Sequence, residues 1–143
     1  MQTWVDIKFA DGEYRFQYGL SQISELEKKC EAGLGRIYAR TLAGRYGTGK
    51  GESLPLEAEY RFSELVELIR QGLIGGNQAT VDGEPKTVSS VRANDLIANY
   101  ILSPGPERMP VSSVWDLAVS AIYPLIEGYT PPGEAGAGPA PAA

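Results

Sequence analysis

Hydrophobic and polar positions alternate with period two at the start of the chain. Val5, Ile7 and Phe9 are separated by Asp6 and Lys8, and Tyr14, Phe16 and Tyr18 by Arg15 and Gln17. Such alternation predicts two half-buried strands. Asp11-Gly12 between them is a favoured pair for a two-residue turn with positive φ at both central positions, so a hairpin over 4–18 is expected. That turn pairs Phe9 with Tyr14, Ile7 with Phe16 and Val5 with Tyr18, and puts all six side chains on one face. A lone hairpin is marginal in water, so this face must be covered.

The period then lengthens to that of a helix. Within 21–43, Ser24 with Glu27 forms a capping-box pattern, Ser21 is the competing cap, and Gly33 is the expected stop. Leu34, Ile37, Tyr38 and Leu42 make a second short apolar stripe, ended by Gly44. Leu54, Leu56, Ala58, Tyr60 and Phe62 alternate again, which suggests a third strand, at an edge because Pro55 has no donor. Ser63 caps the next helix, 63–75. Its apolar face is Leu65, Val66, Leu68, Ile69 and Leu73, and its wet face Glu64, Glu67, Arg70 and Gln71. Gly75-Gly76-Asn77 ends it. Asp82-Gly83 marks a turn, with Pro85 arguing against a long hairpin. A helix over 89–102 turns Val91, Leu96, Ile97, Tyr100 and Ile101 inward. A last helix, 110–127, starts with Pro110 in its first turn. It buries Val111, Val114, Trp115, Ala118, Ala121, Ile122 and Leu125, with Pro124 expected to kink or shorten it. The fold class is α+β: a mainly helical domain over 1–129 with an N-terminal antiparallel hairpin. Residues 130–143, TPPGEAGAGPAPAA, bury too little side chain to offset their ordering entropy and read as a disordered tail.

Composition narrows the function classes. The chain has 143 residues, a net charge of −5 and no histidine. The charge disfavours non-specific nucleic-acid binding, and the commonest general base and metal ligand is missing. The single cysteine, Cys30, permits no internal disulfide, and without a histidine to activate it reads as a packed thiol. No catalytic residue, metal ligand or cofactor site is expected. The N-terminus lacks the basic and apolar runs of a signal peptide, and no apolar segment is long enough to span a bilayer. A cytoplasmic location and no membrane partner are therefore expected.

Two features could carry function. Gly44–Gly51, GRYGTGKG, matches a phosphate-binding P-loop except at Gly51, where Ser or Thr would hold magnesium. It follows a predicted helix rather than a strand and leads into an extended segment, so a glycine connector is the simpler reading; a nucleotide-binding enzyme is the alternative. The second feature is charge. Lys28, Lys29, Arg36, Arg40, Arg45 and Lys50 face only one acid, Glu31, between Lys28 and Lys50. This basic region reads either as a solvated face or as a dock for an acidic partner segment. Arg36, Arg40, Arg45 and Lys50, with Trp4 on the hairpin face opposite the aromatic set, are the candidate partner-binding residues.

The helical order runs YGLSQISELEKKCEAGLGRIYARTLAG, FSELVELIRQGLIGG, a helix with Asn94, Asp95, Leu96 and Ile97, then WDLAVSAIYPLIEGY. Over roughly Phe16 to Tyr129 this resembles the small proteins encoded near the tape-measure gene of tailed phages and gene-transfer agents, the tail assembly chaperones. Ile69–Gly76 is the best-matching piece; Asn77 stands where a further glycine is common. The resemblance implies a non-enzymatic protein, working in the host cytoplasm during virion assembly. It would bind the tape-measure protein, keep it soluble and help tail-tube subunits assemble. A structural, tube-associated component of the virion tail is the alternative it implies.

Overall fold

The N-terminal hairpin forms with its apolar residues on one face, but in another register. In the computed structural model, which describes residues 1–46 and 60–132, strand β1 (Val5–Phe9) pairs antiparallel with β2 (Gly12–Phe16). The partners are Val5 with Phe16, Ile7 with Tyr14 and Phe9 with Gly12. The turn is therefore Ala10-Asp11, not Asp11-Gly12, and Ala10 takes the positive φ of 56°. The reason lies across the sheet. A Cβ on Gly12 would sit 2.4 Å from the carbonyl oxygen of Thr80, so the glycine is used for close strand approach and not for the turn. Because the register moves by two residues, no side chain changes face. Tyr18 lies beyond β2, buried, and its hydroxyl donates to the Leu68 carbonyl at 2.5 Å.

Two short strands complete the sheet. β3 (Ala79–Val81) pairs with β2, and β4 (Glu84–Lys86) with β3, giving the antiparallel order β1-β2-β3-β4. Asp82 and Gly83, with φ of 52° and 78°, form the turn between them. Pro85 lies in the outermost strand, which ends after three residues. The strand expected over Leu54–Phe62 falls largely outside the described residues. Its described end is not extended sheet, since Phe62 opens a helix.

The helices follow the expected order with shifted ends. α1 (Leu20–Cys30) starts after Gly19, not at Ser21 or Ser24. The Gln22 side chain accepts from the Gly19 N–H at 2.9 Å. Glu31, not Gly33, takes the left-handed end at φ 53°. Glu27 is spent elsewhere: its carboxylate accepts from the N–H of Leu34 at 2.8 Å, satisfying a free donor at the start of α2 (Leu34–Tyr46). α2 runs through Gly44 rather than stopping there. α3 (Phe62–Gly76) follows Arg61, with Ser63 inside its first turn and not acting as cap. α4 (Ser90–Ile97) is capped by Ser89, whose hydroxyl accepts from Arg92 N–H at 3.1 Å. It continues as one wider, π-type turn over Ala98–Leu102. α5 (Val111–Glu127) follows Pro110 and carries Pro124 inside, ending at Gly128 rather than at the proline.

α3 is the hub. It touches α1, α4, α5 and β2, so almost its whole circumference is covered. Glu64, Glu67 and Gln71, expected to be wet, are buried. Its glycines explain how it lies so close to the sheet. A Cβ on Gly75 would fall 2.0 Å from the Gln17 carbonyl oxygen, and one on Gly76 would fall 1.9 Å from that of Arg15. The Gly72 carbonyl accepts from the Gln17 N–H at 3.1 Å. These glycines lie on one helix face and let two backbones meet. Asn77 takes the left-handed position after the helix, φ 48°, and its side chain accepts from the Val88 N–H at 3.0 Å. Trp115 is core, with its indole N–H donating to the Thr41 carbonyl at 2.8 Å and its ring stacked on Tyr60. Val91 and Val111, expected inward, are exposed at their helix starts.

Candidate functional site

The basic region does not form one patch. Arg36 is exposed on α2. Arg40, one turn on, turns inward instead. Its Nε donates to Glu64 Oε1 at 2.9 Å and its Nη2 to Glu64 Oε2. Only 3% of the Glu64 side chain is exposed. This forked pair is a tie between α2 and α3, and it removes Arg40 from the candidate partner contacts. A second buried carboxylate, Glu67, accepts from Gln71 at 2.8 Å and from Arg70, with the Lys29 ammonium 3.7 Å away. Lys29, like Lys28 exposed, thus lies on the α3 side of α1. Arg45 lies on the last turn of α2, and Lys50 lies outside the described residues. Of the P-loop-like motif, Gly44 to Tyr46 are helical, where a phosphate loop needs open backbone N–H groups. The rest of it, Gly47–Gly51, is also outside the described residues.

Trp4 lies just before β1, half-buried beneath the Arg15 guanidinium, which sits 3.5 Å from the ring centre. Arg15 also pairs with Asp6 at 3.0 Å. One face of the indole is thus already covered. Cys30 is buried, and burial, reinforced by the nearby Glu64 and Glu67 charges, pushes its thiol up to about 11. A thiol so placed is a packing group at neutral pH.

Two features were not foreseen from the sequence. The first is a clamp at the hairpin turn. Asp11 accepts from the Tyr14 hydroxyl and from Arg92 Nη2, the latter at 2.6 Å. Burial works to raise the Asp11 carboxyl, but the bonds from Tyr14 and Arg92 and the guanidinium charge hold it below its ordinary range. The clamp joins the hairpin to α4, and nothing in the local pattern of either segment announces it.

The second is a groove of about 620 Å³ beneath β1. Val5 and Ile7 from the strand, Leu42 from α2, Val119, Ser120, Tyr123 and Pro124 from α5, and Tyr129 line it. Only Ser120 among these is neither apolar nor aromatic. The backbone of Tyr129 pairs with Gln2, closing one end. A second hollow of about 400 Å³ continues from Ile7 and Ser120 toward Phe9, Met109 and Leu117, with Lys8, Ser113 and Asp116 as its polar lining. β1 and α5 together thus frame an apolar trench that opens to solvent along a sheet edge. Chemically it suits apolar side chains presented by another polypeptide.

Fold and site together define an α+β domain with an apolar trench under its sheet edge. No family model, curated protein or solved structure matches the chain. No helix among the described residues is long and apolar enough to cross a membrane.

Proposed function

We propose that this protein is a tail assembly chaperone that binds the tape-measure protein of a phage or gene-transfer agent and assists tail-tube assembly without catalysing a reaction. The observation that carries the reading is the apolar trench between β1 and α5. A tape-measure protein is long and helical, so it offers rows of apolar side chains at helical spacing. An apolar trench would take such a row. Tyr123, 44% exposed at the trench wall, is the natural anchor. The exposed cations Lys28 and Arg36 add attraction for acidic stretches of the same partner. The order of elements over roughly Phe16 to Tyr129 supports the reading from the sequence side.

Co-expression of the full chain with the tape-measure protein of its own gene cluster tests this. The partner should stay soluble and co-elute, and Tyr123→Glu should abolish co-elution while leaving the fold intact. Unchanged partner solubility with the wild-type chain ends the proposal. Mass spectrometry of purified particles separates the chaperone role from the virion component. A chaperone is scarce in the particle, whereas a tube-associated protein is present in many copies.

A further inference from the structure

β1 lies at one margin of the sheet. Which of its backbone groups face outward follows from β2. The N–H of Arg15 points away from β1, to the Gln78 carbonyl at 2.9 Å. The even residues of β2 therefore bond to β1, and the register assigns those bonds to Val5, Ile7 and Phe9. The N–H and C=O of Asp6 and Lys8 point to the open side. Among the described residues no backbone group meets them. Natural edge strands are usually blunted by a proline, a bulge, an inward-pointing charge or a lysine on the edge. β1, VDIKF, has no proline, bulge or inward charge, and of these devices carries only the outward Lys8, which an opposed carboxylate would neutralise. Its inward row is wholly apolar, and its outer face carries one acid, Asp6, and one base, Lys8.

We propose that this edge pairs, antiparallel, with the β1 edge of a second copy of this chain about a two-fold axis at Ile7. The charges select both the occupant and the register. An axis at Ile7 sets Asp6 opposite Lys8 of the second copy, and Lys8 opposite its Asp6. Both residues have outward-facing backbone, so each pair can exchange two hydrogen bonds. An axis at Asp6 would oppose two carboxylates, and one at Lys8 two ammonium groups. Val5 then lies against Phe9 of the second copy, which extends the apolar row across the junction. Asp6 is shared with Arg15 within the chain, while Lys8 makes no ion pair among the described residues. The Gln2–Tyr129 bridge takes up the same open side only at Gln2, four residues before Asp6 and outside the two Asp6–Lys8 pairs. The axis is perpendicular to the sheet, so the two trenches lie on the same face and adjoin across the junction, where the second copy borders each opening. The inference stands independently of the chaperone reading, since it needs only this chain.

Sedimentation equilibrium of the full chain tests it. The wild-type protein should weigh twice its 15.4 kDa chain mass. Lys8→Glu places like charges at both symmetric pairs and should weaken the dimer on the order of tenfold or more. At concentrations low enough for both proteins to be monomeric, its urea midpoint should match wild type, because Lys8 is exposed in the single chain. An equimolar mixture of Asp6→Lys and Lys8→Glu chains should restore the dimer, since every cross-pair is then of opposite sign. Hydrogen exchange adds a site-specific readout: the Asp6 and Lys8 amides are protected in the dimer and exchange quickly in Lys8→Glu. A wild-type monomer, or a dimer insensitive to Lys8→Glu, overturns the proposal. So does an edge that takes a strand only from another protein.

Discussion

Gly75→Ala tests the closeness of α3 and β2 most directly. In an ordinary helix interior this substitution stabilises by about 1 kcal/mol, because alanine loses less backbone freedom than glycine. Here the added Cβ would lie 2.0 Å from the Gln17 carbonyl oxygen and 3.0 Å from its carbon. A normal carbon–oxygen contact is about 3.2 Å, so helix and strand must part by roughly 1 Å along a backbone that cannot rotate away. That movement loosens the buried contacts of Phe16, Tyr18 and Leu68 in the same layer. The net cost is about 3 kcal/mol, against the expected gain. Gly35→Ala is the matched control. A Cβ there meets nothing within 4 Å, so it should be neutral or stabilise by up to about 1 kcal/mol. Urea unfolding followed by tryptophan fluorescence reads both. With a slope of about 1–3 kcal/mol per M, the Gly75→Ala midpoint falls by about 1–3 M while that of Gly35→Ala holds or rises. A Gly75→Ala protein within about 0.5 kcal/mol of wild type would refute the close helix–strand contact.

Three further outcomes are expected. Arg40→Ala leaves Glu64 buried without its forked partner and should destabilise by about 3 kcal/mol; Arg40→Met with Glu64→Leu should recover much of that, both read by urea midpoint. Asn77→Ala loses both a residue tolerant of φ 48° and the bond to Val88, for about 2 kcal/mol, whereas Asn77→Gly loses only the bond, for about 1 kcal/mol. Cys30 should resist thiol reagents at pH 8 until the chain unfolds. Its raised thiol favours the protonated, folded form, so that contribution is intact below about pH 9 and is lost as pH rises through about 11. Cys30→Ala should remove that alkaline slope from the stability profile.

Local rules carried the sequence reading well wherever one face of an element decides its position. The hairpin face, the inward Leu96, Ile97 and Ile101, and the core Trp115 all follow from period alone. Ends and turns were less legible, because several groups compete for each. Ser21, Ser24 and Ser63 are good caps by type, yet α1 starts after Gly19 and α3 after Arg61. Asp11-Gly12 is the better turn pair, yet the approach of Thr80, nearly seventy residues on, claims Gly12 for the strand. A pattern confined to ten residues cannot contain that contact.

α3 shows where the period argument breaks down, and the same failure hid the candidate site. An amphipathic stripe implies one covered side, which would leave Glu64 and Glu67 in water. A helix covered on nearly every side instead needs its charges paired: Glu64 takes Arg40 from α2, and Glu67 takes Arg70 from its own helix with Lys29 of α1 nearby. The basic run between Lys28 and Lys50 is thus partly the complement of two buried acids rather than a surface for a partner. Apolar side chains and unpaired strand groups come together instead where β1 meets α5. Neither is visible in one dimension: β1 reads as an ordinary hairpin strand, and only the sheet order makes it an edge.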